Sequence, residues 1–290
     1  MPMYRTGFKL FIIAIALMHF FAGDNLFAQN KLSMQPYYEV TGKGTDIWAG
    51  GNSFILADGS LKKKSEIFLK EFSNIRKIFL IWSGEVKDDK QIFQQIMLTP
   101  VRKKTVMVTA DNIYKTGSSG LLYSCIADIT GHYNGKGDYI IKGIKSDPFN
   151  KRNKSDRYSV AGFAVLVVYD KYEMVNHKIQ VYAGLDLLGP GEMHNISILN
   201  KGSDLSLIKM AVIGGHGRKG NGSSNLLNGI SISQSEDWNA SSGHYWDVDI
   251  FKNIDINQDL VAKKGLILSF DTVLQWLYPV MIANVFKEGK

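Results

Sequence analysis

The sequence predicts an all-β protein: a β-sandwich of jelly-roll or immunoglobulin-like style, with two closely packed sandwiches as the alternative arrangement. Three observations predict it. Short runs alternate apolar and polar residues with period two, turn residues separate nearly all of those runs, and one run is apolar on both faces. The alternation is clearest at 177–183, where Ile179, Val181 and Ala183 fall on one face and Lys178, Gln180 and Tyr182 on the other. Similar runs stand at 77–82, 105–110, 138–144, 195–199, 207–213, 229–233, 245–251, 266–270 and 279–286. Between them lie Gly135-Lys136-Gly137-Asp138, Gly189-Pro190-Gly191, Lys201-Gly202-Ser203-Asp204 and a long loop expected over 214–225. Segment 65–74 is ambiguous between a short helix and a strand. The run 160–169, VAGFAVLVVY, has no polar face, so it belongs at the centre of a sheet covered on both sides.

Composition narrows the class. Of 290 residues, 45% are apolar, 11% aromatic and 21% charged, the profile of a chain with a real core. A single cysteine, Cys125, excludes an internal disulfide and any cysteine-built zinc or iron–sulfur site. The formal charge is +7. It is spread through Lys62-Lys63-Lys64, Arg102-Lys103-Lys104, Lys151-Arg152-Asn153-Lys154 and Lys263-Lys264, in no nucleic-acid motif.

Residues 1–28 read as a secretory signal peptide. Arg5 and Lys9 precede the apolar run LFIIAIALMHFF, and a more polar stretch ending at Ala28 follows. The run is about 12 residues, short of the roughly 20 that cross a bilayer. Export is therefore expected, to the periplasm, the outer surface or the medium, with no transmembrane segment after cleavage. Removal of Arg5, Lys9 and Asp24 leaves a diffuse formal +6 on 29–290, read as one β-sandwich domain. Nucleic acid is not an expected partner; the basic runs are read first as solvated loops, with weak attraction to an anionic envelope or polysaccharide as the functional reading.

Several strings recur in an order that resembles a family of secreted bacterial and archaeal surface proteins labelled only as a domain of unknown function. Phe79-Leu80-Ile81-Trp82-Ser83-Gly84 is similar to its "LYWSG" strand, and Tyr123-Ser124-Cys125-Ile126-Ala127-Asp128-Ile129-Thr130 to its "Y-x-C-x-A-D-V-T" element. Gly137-Asp138-Tyr139-Ile140-Ile141 comes next. Segment 161–169 resembles "AGWSLVVVY" and Ile179-Gln180-Val181-Tyr182-Ala183-Gly184 resembles "ITVYDG". Asn228-Gly229-Ile230, Trp246-Asp247-Val248-Asp249 and Tyr278-Pro279-Val280 stand where the family has "LNG", "W-x-x-D" and "YP". The resemblance implies a secreted all-β surface module, adhesin- or appendage-associated, and supplies no catalytic residue. The chain departs from the family at Phe163-Ala164, where Trp-Ser is usual, and at Ala183, where Asp is usual. It has no tandem repeats or sorting tail, so covalent wall attachment is not expected.

Gly215-His216-Gly217-Arg218-Lys219-Gly220 fits G-x-G-x-x-G, but Asn221-Gly222-Ser223-Ser224 follows in place of a helix that could aim at a pyrophosphate. A hairpin loop is expected, whose His216, Arg218 and Lys219 are candidate contacts for an anionic partner. Asp247 and Asp249, two apart on a strand, lie about 6.5 to 7 Å apart on one face, a spacing that overlaps inverting glycosidases; solvated acids on an outer face are the expectation. Asp255, Asn257 and Asp259 alternate as calcium ligands do, yet Gln258 and Lys264 replace the glycine and glutamate of an EF-hand, so a polar turn is expected, with a non-EF calcium site as the alternative. His132, His177, His194, His216 and His244 show no metal spacing and are expected on the surface or in loops, and Cys125 as a buried apolar residue. Trp48, Trp238 and Tyr245 are candidate exposed platforms for sugars or proteins, with Tyr37, Tyr38 and Trp276 behind them. No cofactor is expected. The expected function is a non-enzymatic structural or adhesive module of the cell envelope, bound to other surface proteins or to itself, as in a filament or sheath. A lectin-like polysaccharide binder is the alternative, and a glycan hydrolase a more remote one.

Overall fold

The computed structural model describes residues 32–56, 59–86, 92–116, 121–146, 160–220, 222–233, 236–254, 256 and 258–288. The expected leader, 1–28, lies outside the described residues; all described strands belong to the compact unit Leu32–Lys290. The protein is all-β, built from four antiparallel sheets. A first outer sheet has the order β3 (Lys64–Leu69), β9 (Gly137–Lys142), β5 (Gln95–Thr99), β6 (Val106–Thr109). A first inner sheet runs β2 (Thr45–Ser53), β10 (Ala161–Asp170), β4 (Ile75–Val86), β8 (Leu121–Asp128), β7 (Asn112–Thr116). The second inner sheet is β1 (Leu32–Lys43), β11 (Asn176–Leu185), β18 (Tyr278–Lys287), β13 (Ser206–Gly215), β16 (Trp246–Lys252). The second outer sheet is β12 (Met193–Leu199), β17 (Leu266–Asp271), β14 (Ser224–Leu227), β15 (Ile230–Ser231).

The cores fix how these sheets stack. One cluster, with Trp82, Phe163, Leu98 and Tyr139, joins the first outer to the first inner sheet. A second, with Ile81, Leu166, Val181 and Ala211, joins the two inner sheets. A third, with Val212, Phe286, Ile198 and Phe270, joins the second inner to the second outer sheet. The result is a four-layer stack, two sandwiches sharing a middle core. The layer a strand occupies is written in its sequence. The inner strand β10 is buried along its length, Phe163, Val165 and Val167 facing one core and Ala164, Leu166 and Val168 the other. The outer strand β3 alternates exposed and buried, one face in a core and one in water.

Some local expectations change. The ambiguous segment 65–74 contains β3, where Ser65, Ile67 and Leu69 alternate inward. The loop expected over 214–225 contains the start of β14, and the run 229–233 contracts to β15. The polar turn expected around Asp259 is the helix α1 (Gln258–Lys264), with Asp259 in its first turn and Lys263 and Lys264 in its last, charges that suit the helix dipole. Among the described residues no helix is long and apolar enough to cross a membrane.

Candidate binding cleft

The edge strand β2 begins with Thr45 and Asp46, buried polar residues in the pattern Thr-Asp-Ile-Trp. Antiparallel pairing puts Asp46 opposite Tyr169 at the end of β10. A buried carboxylate needs donors, and Asp46 gathers them from both inner sheets. Lys209 of β13 donates from Nζ to Oδ1 at 2.9 Å and to the carbonyl of Ile47. Lys171 Nζ stands 2.5 Å from Oδ2, the Ile47 amide donates to Oδ1 at 2.8 Å, and the Tyr169 hydroxyl reaches Oδ2 at 3.4 Å. Burial alone would raise the Asp46 pKa, but the two ammonium groups and the amide hold it below the ordinary carboxylate value. Lys209 responds in the opposite sense: desolvation outweighs Asp46 and lowers its pKa. Burial, with Asp46 beside it, pushes the Tyr169 phenol up to about 12. A second bond ties the inner sheets here, between His177 Nδ1 of β11 and the Thr45 carbonyl at 2.9 Å.

Above this junction lies a cleft of about 580 Å³, within the size range of ligand sites. Lys70, Lys171, Lys209, Lys252 and Lys287 line it, against Asp46 and Glu173, a formal +3. Half-buried Trp48 and the aliphatic Ile208, Ile250 and Val175 supply apolar wall. Trp48 is held edge-on to Phe72 at 5.7 Å, and Lys70 Nζ sits over the rings of Phe72 and Tyr169 at 5.3 and 5.4 Å. The arrangement can hold an anion with an apolar face; its one buried carboxylate is consumed by its own lysines.

Of the residues singled out in the sequence, Trp48 and His177 line this cleft; His177 is a correction, buried on β11 and neither on the surface nor in a loop. The others gather at the opposite end of β13 or fall elsewhere. Trp238 is a correction: it is 1% exposed in the third core, its indole donating to Asn225 Oδ1, because segment 236–245 folds back over the second inner sheet. His216 stands in the loop after β13, as expected, but is buried there, with Nδ1 against the Trp276 carbonyl at 3.1 Å. Its ring stacks on Tyr245 at 5.7 Å, and the Arg218 guanidinium lies over that same ring at 4.8 Å. His216 and Tyr245 take left-handed backbone at φ 73° and 58°, conformations that only a constrained junction sustains. Lys219 is exposed at the turn.

Packing explains Gly215 and Gly217 of the G-x-G-x-x-G string and the preceding Gly214, whereas Gly220 has open space and a left-handed φ of 91°. A Cβ at Gly214 would meet the Trp238 ring at 2.7 Å; one at Gly215 would collide with Tyr278, and one at Gly217 with the Asp247 carboxyl. Asp247 is itself a correction, buried at 1% exposure and not a solvated acid. Its Oδ1 accepts from the amides of Asn239 and Ser241 at 3.1 and 3.0 Å, fixing the 239–241 loop. Burial drives its pKa up to about 7, against those amides, and that of half-buried Asp249 up to about 6. Cys125 is buried, its thiol pushed up to about 12 by desolvation. His194 is paired with buried Asp186 at 3.1 Å. Of the calcium candidates, Asp255 and Asn257 lie outside the described residues and Asp259 is exposed on α1. Among the described residues no three His, Cys, Asp or Glu side chains are grouped to hold a metal ion.

Asp46 and the five lysines carry no local motif, since they are drawn from strands and loops between positions 46 and 287. One signal was present: Lys209 is a lone charge within an otherwise apolar strand.

No family model matches the chain, and no curated protein matches it. Among solved structures, it is similar at a TM-score of 0.23 and 10% identity to BuGH86 in complex with neoagarooctaose, solved both as the wild type and as a variant. The match covers 87% of this chain and 33% of that one, so this chain spans about a third of its length.

Proposed function

We propose that the chain is an exported, non-enzymatic module of the cell envelope, structural or adhesive, that holds a partner without making or breaking a bond. The observation that carries this reading is the cleft beside β2, where five lysines outnumber two carboxylates and the buried one, Asp46, is already neutralised. Such a surface attracts an acidic face of another envelope protein or of a second copy. The half-buried indole of Trp48 in the same cleft favours a second reading, a carbohydrate binder. In a test, the purified protein is mixed with envelopes isolated from the source cells and sedimented. Saturable co-sedimentation that weakens as salt rises from about 0.05 to about 0.5 M is expected, because screening shortens the reach of the lysines. Protein that stays in the supernatant at low salt would contradict the reading.

A further inference from the structure

The lysine cleft offers more than charge, and its details select among anionic partners. Resting on the reading that this cleft is the contact surface, we propose that it takes an anionic saccharide, a chain whose sugar units carry carboxylate or sulfate groups. Four features support that class. The cations lining the cleft are all lysines, with no arginine among them. Lysine acts as a point charge on a flexible stem, whereas a single phosphate is typically gripped by the planar fork of arginine; separated lysines match charges spaced along a chain. Lys252 and Lys287 make no ion pair among the described residues, while Lys171 and Lys209 are committed to Asp46. Cations left over in this way can meet anions at no cost to the fold.

Third, the wall is part aromatic. Trp48 is only half buried although it packs on Phe72, and the C–H face of a sugar ring suits an indole. Fourth, about 580 Å³ is far more than one small anion fills and is of the size that holds a short stretch of chain. An acidic peptide would satisfy the lysines alone and leaves Trp48 without a role.

The test is titration calorimetry of the purified protein with four probes: polygalacturonate, dextran sulfate, neutral dextran and polyglutamate. The polygalacturonate arm reads carboxylate and the dextran sulfate arm sulfate. One or both should bind at least about tenfold more tightly than dextran or polyglutamate. Trp48→Ala should then weaken binding by about threefold to tenfold, with Trp48→Phe retaining most of it. Since Trp48 packs against Phe72, a second variant on the surface, Lys252→Gln/Lys287→Gln, guards against misfolding and should cut affinity by about tenfold or more. Equal binding of neutral dextran, or polyglutamate binding as tightly as the saccharides, would overturn the proposal; the latter would point to an acidic protein instead. If no saccharide binds while envelopes still retain the protein, the saccharide class alone falls. If the envelopes release it too, the reading beneath it falls.

Discussion

At Asp247 burial and hydrogen bonding pull in opposite directions, and burial wins. Two backbone amides favour the charged form, but the carboxyl is 1% exposed and its folded pKa rises to about 7 from the ordinary 3.8. The folded state therefore holds a proton that the unfolded chain releases near pH 4. The contribution is full below the unfolded value and is lost as pH rises through the folded one, with stability falling between about pH 4 and 7. Asp249, raised to about 6, acts in the same sense, whereas Asp46 and Asp128, both lowered, act oppositely at more acid pH. Asp247→Asn keeps an acceptor for the 239–241 amides and removes the titration. Its stability, read as melting temperature, should lose part of the decline with pH expected of the unaltered protein, on the order of a few kcal/mol across the window. Parallel melting curves from pH 4 to 8 for the two proteins would refute the assignment. The burial itself was not legible in the sequence. Alternation separated Asp247 and Asp249 from Trp246 and Val248 correctly, but assigned water to the acids' side, which in this stack is covered by the 236–245 segment and the second outer sheet.

Among the elements, β10 shows what the layering asks of a strand. With cores on both faces, its residues 161–169, AGFAVLVVY, offer no position where a polar side chain reaches water, and only the terminal Asp170 is partly exposed. Leu166 faces the middle core at 0% exposure. Leu166→Ala should destabilise the protein by about 2–5 kcal/mol, leaving far-UV circular dichroism unchanged below the transition. A loss under about 1 kcal/mol in denaturant titration would mean that the inner sheets are not packed through this residue. Inner strands were the legible part of the fold, since double burial leaves a continuous apolar run. The edge strand β1, half exposed and carrying Pro36, lacks that signature and was not anticipated. Nor was α1, seven residues long and too short to establish a helical period.

For the whole molecule, the alternative of two packed sandwiches is the arrangement found, with the inner sheets sharing a core. The cleft is a product of that stacking. It forms where β2 begins beside β13 and β16, and it combines Trp48 and Tyr169 of one inner sheet with Lys209, Lys252 and Lys287 of the other. Of the site, the sequence made Trp48 and a diffuse positive charge legible; the convergence of the lysines depends on strand order that no local pattern encodes. The central claim is that this cleft, and not the diffuse charge, makes the contact. The most direct measurement is envelope co-sedimentation of Lys252→Glu/Lys287→Glu beside a control of identical net charge, Lys103→Glu/Lys104→Glu, which reverses two lysines of another surface. The account predicts that the cleft variant loses about tenfold or more in affinity while the control binds like the unaltered protein. Equal losses in the two variants would contradict it.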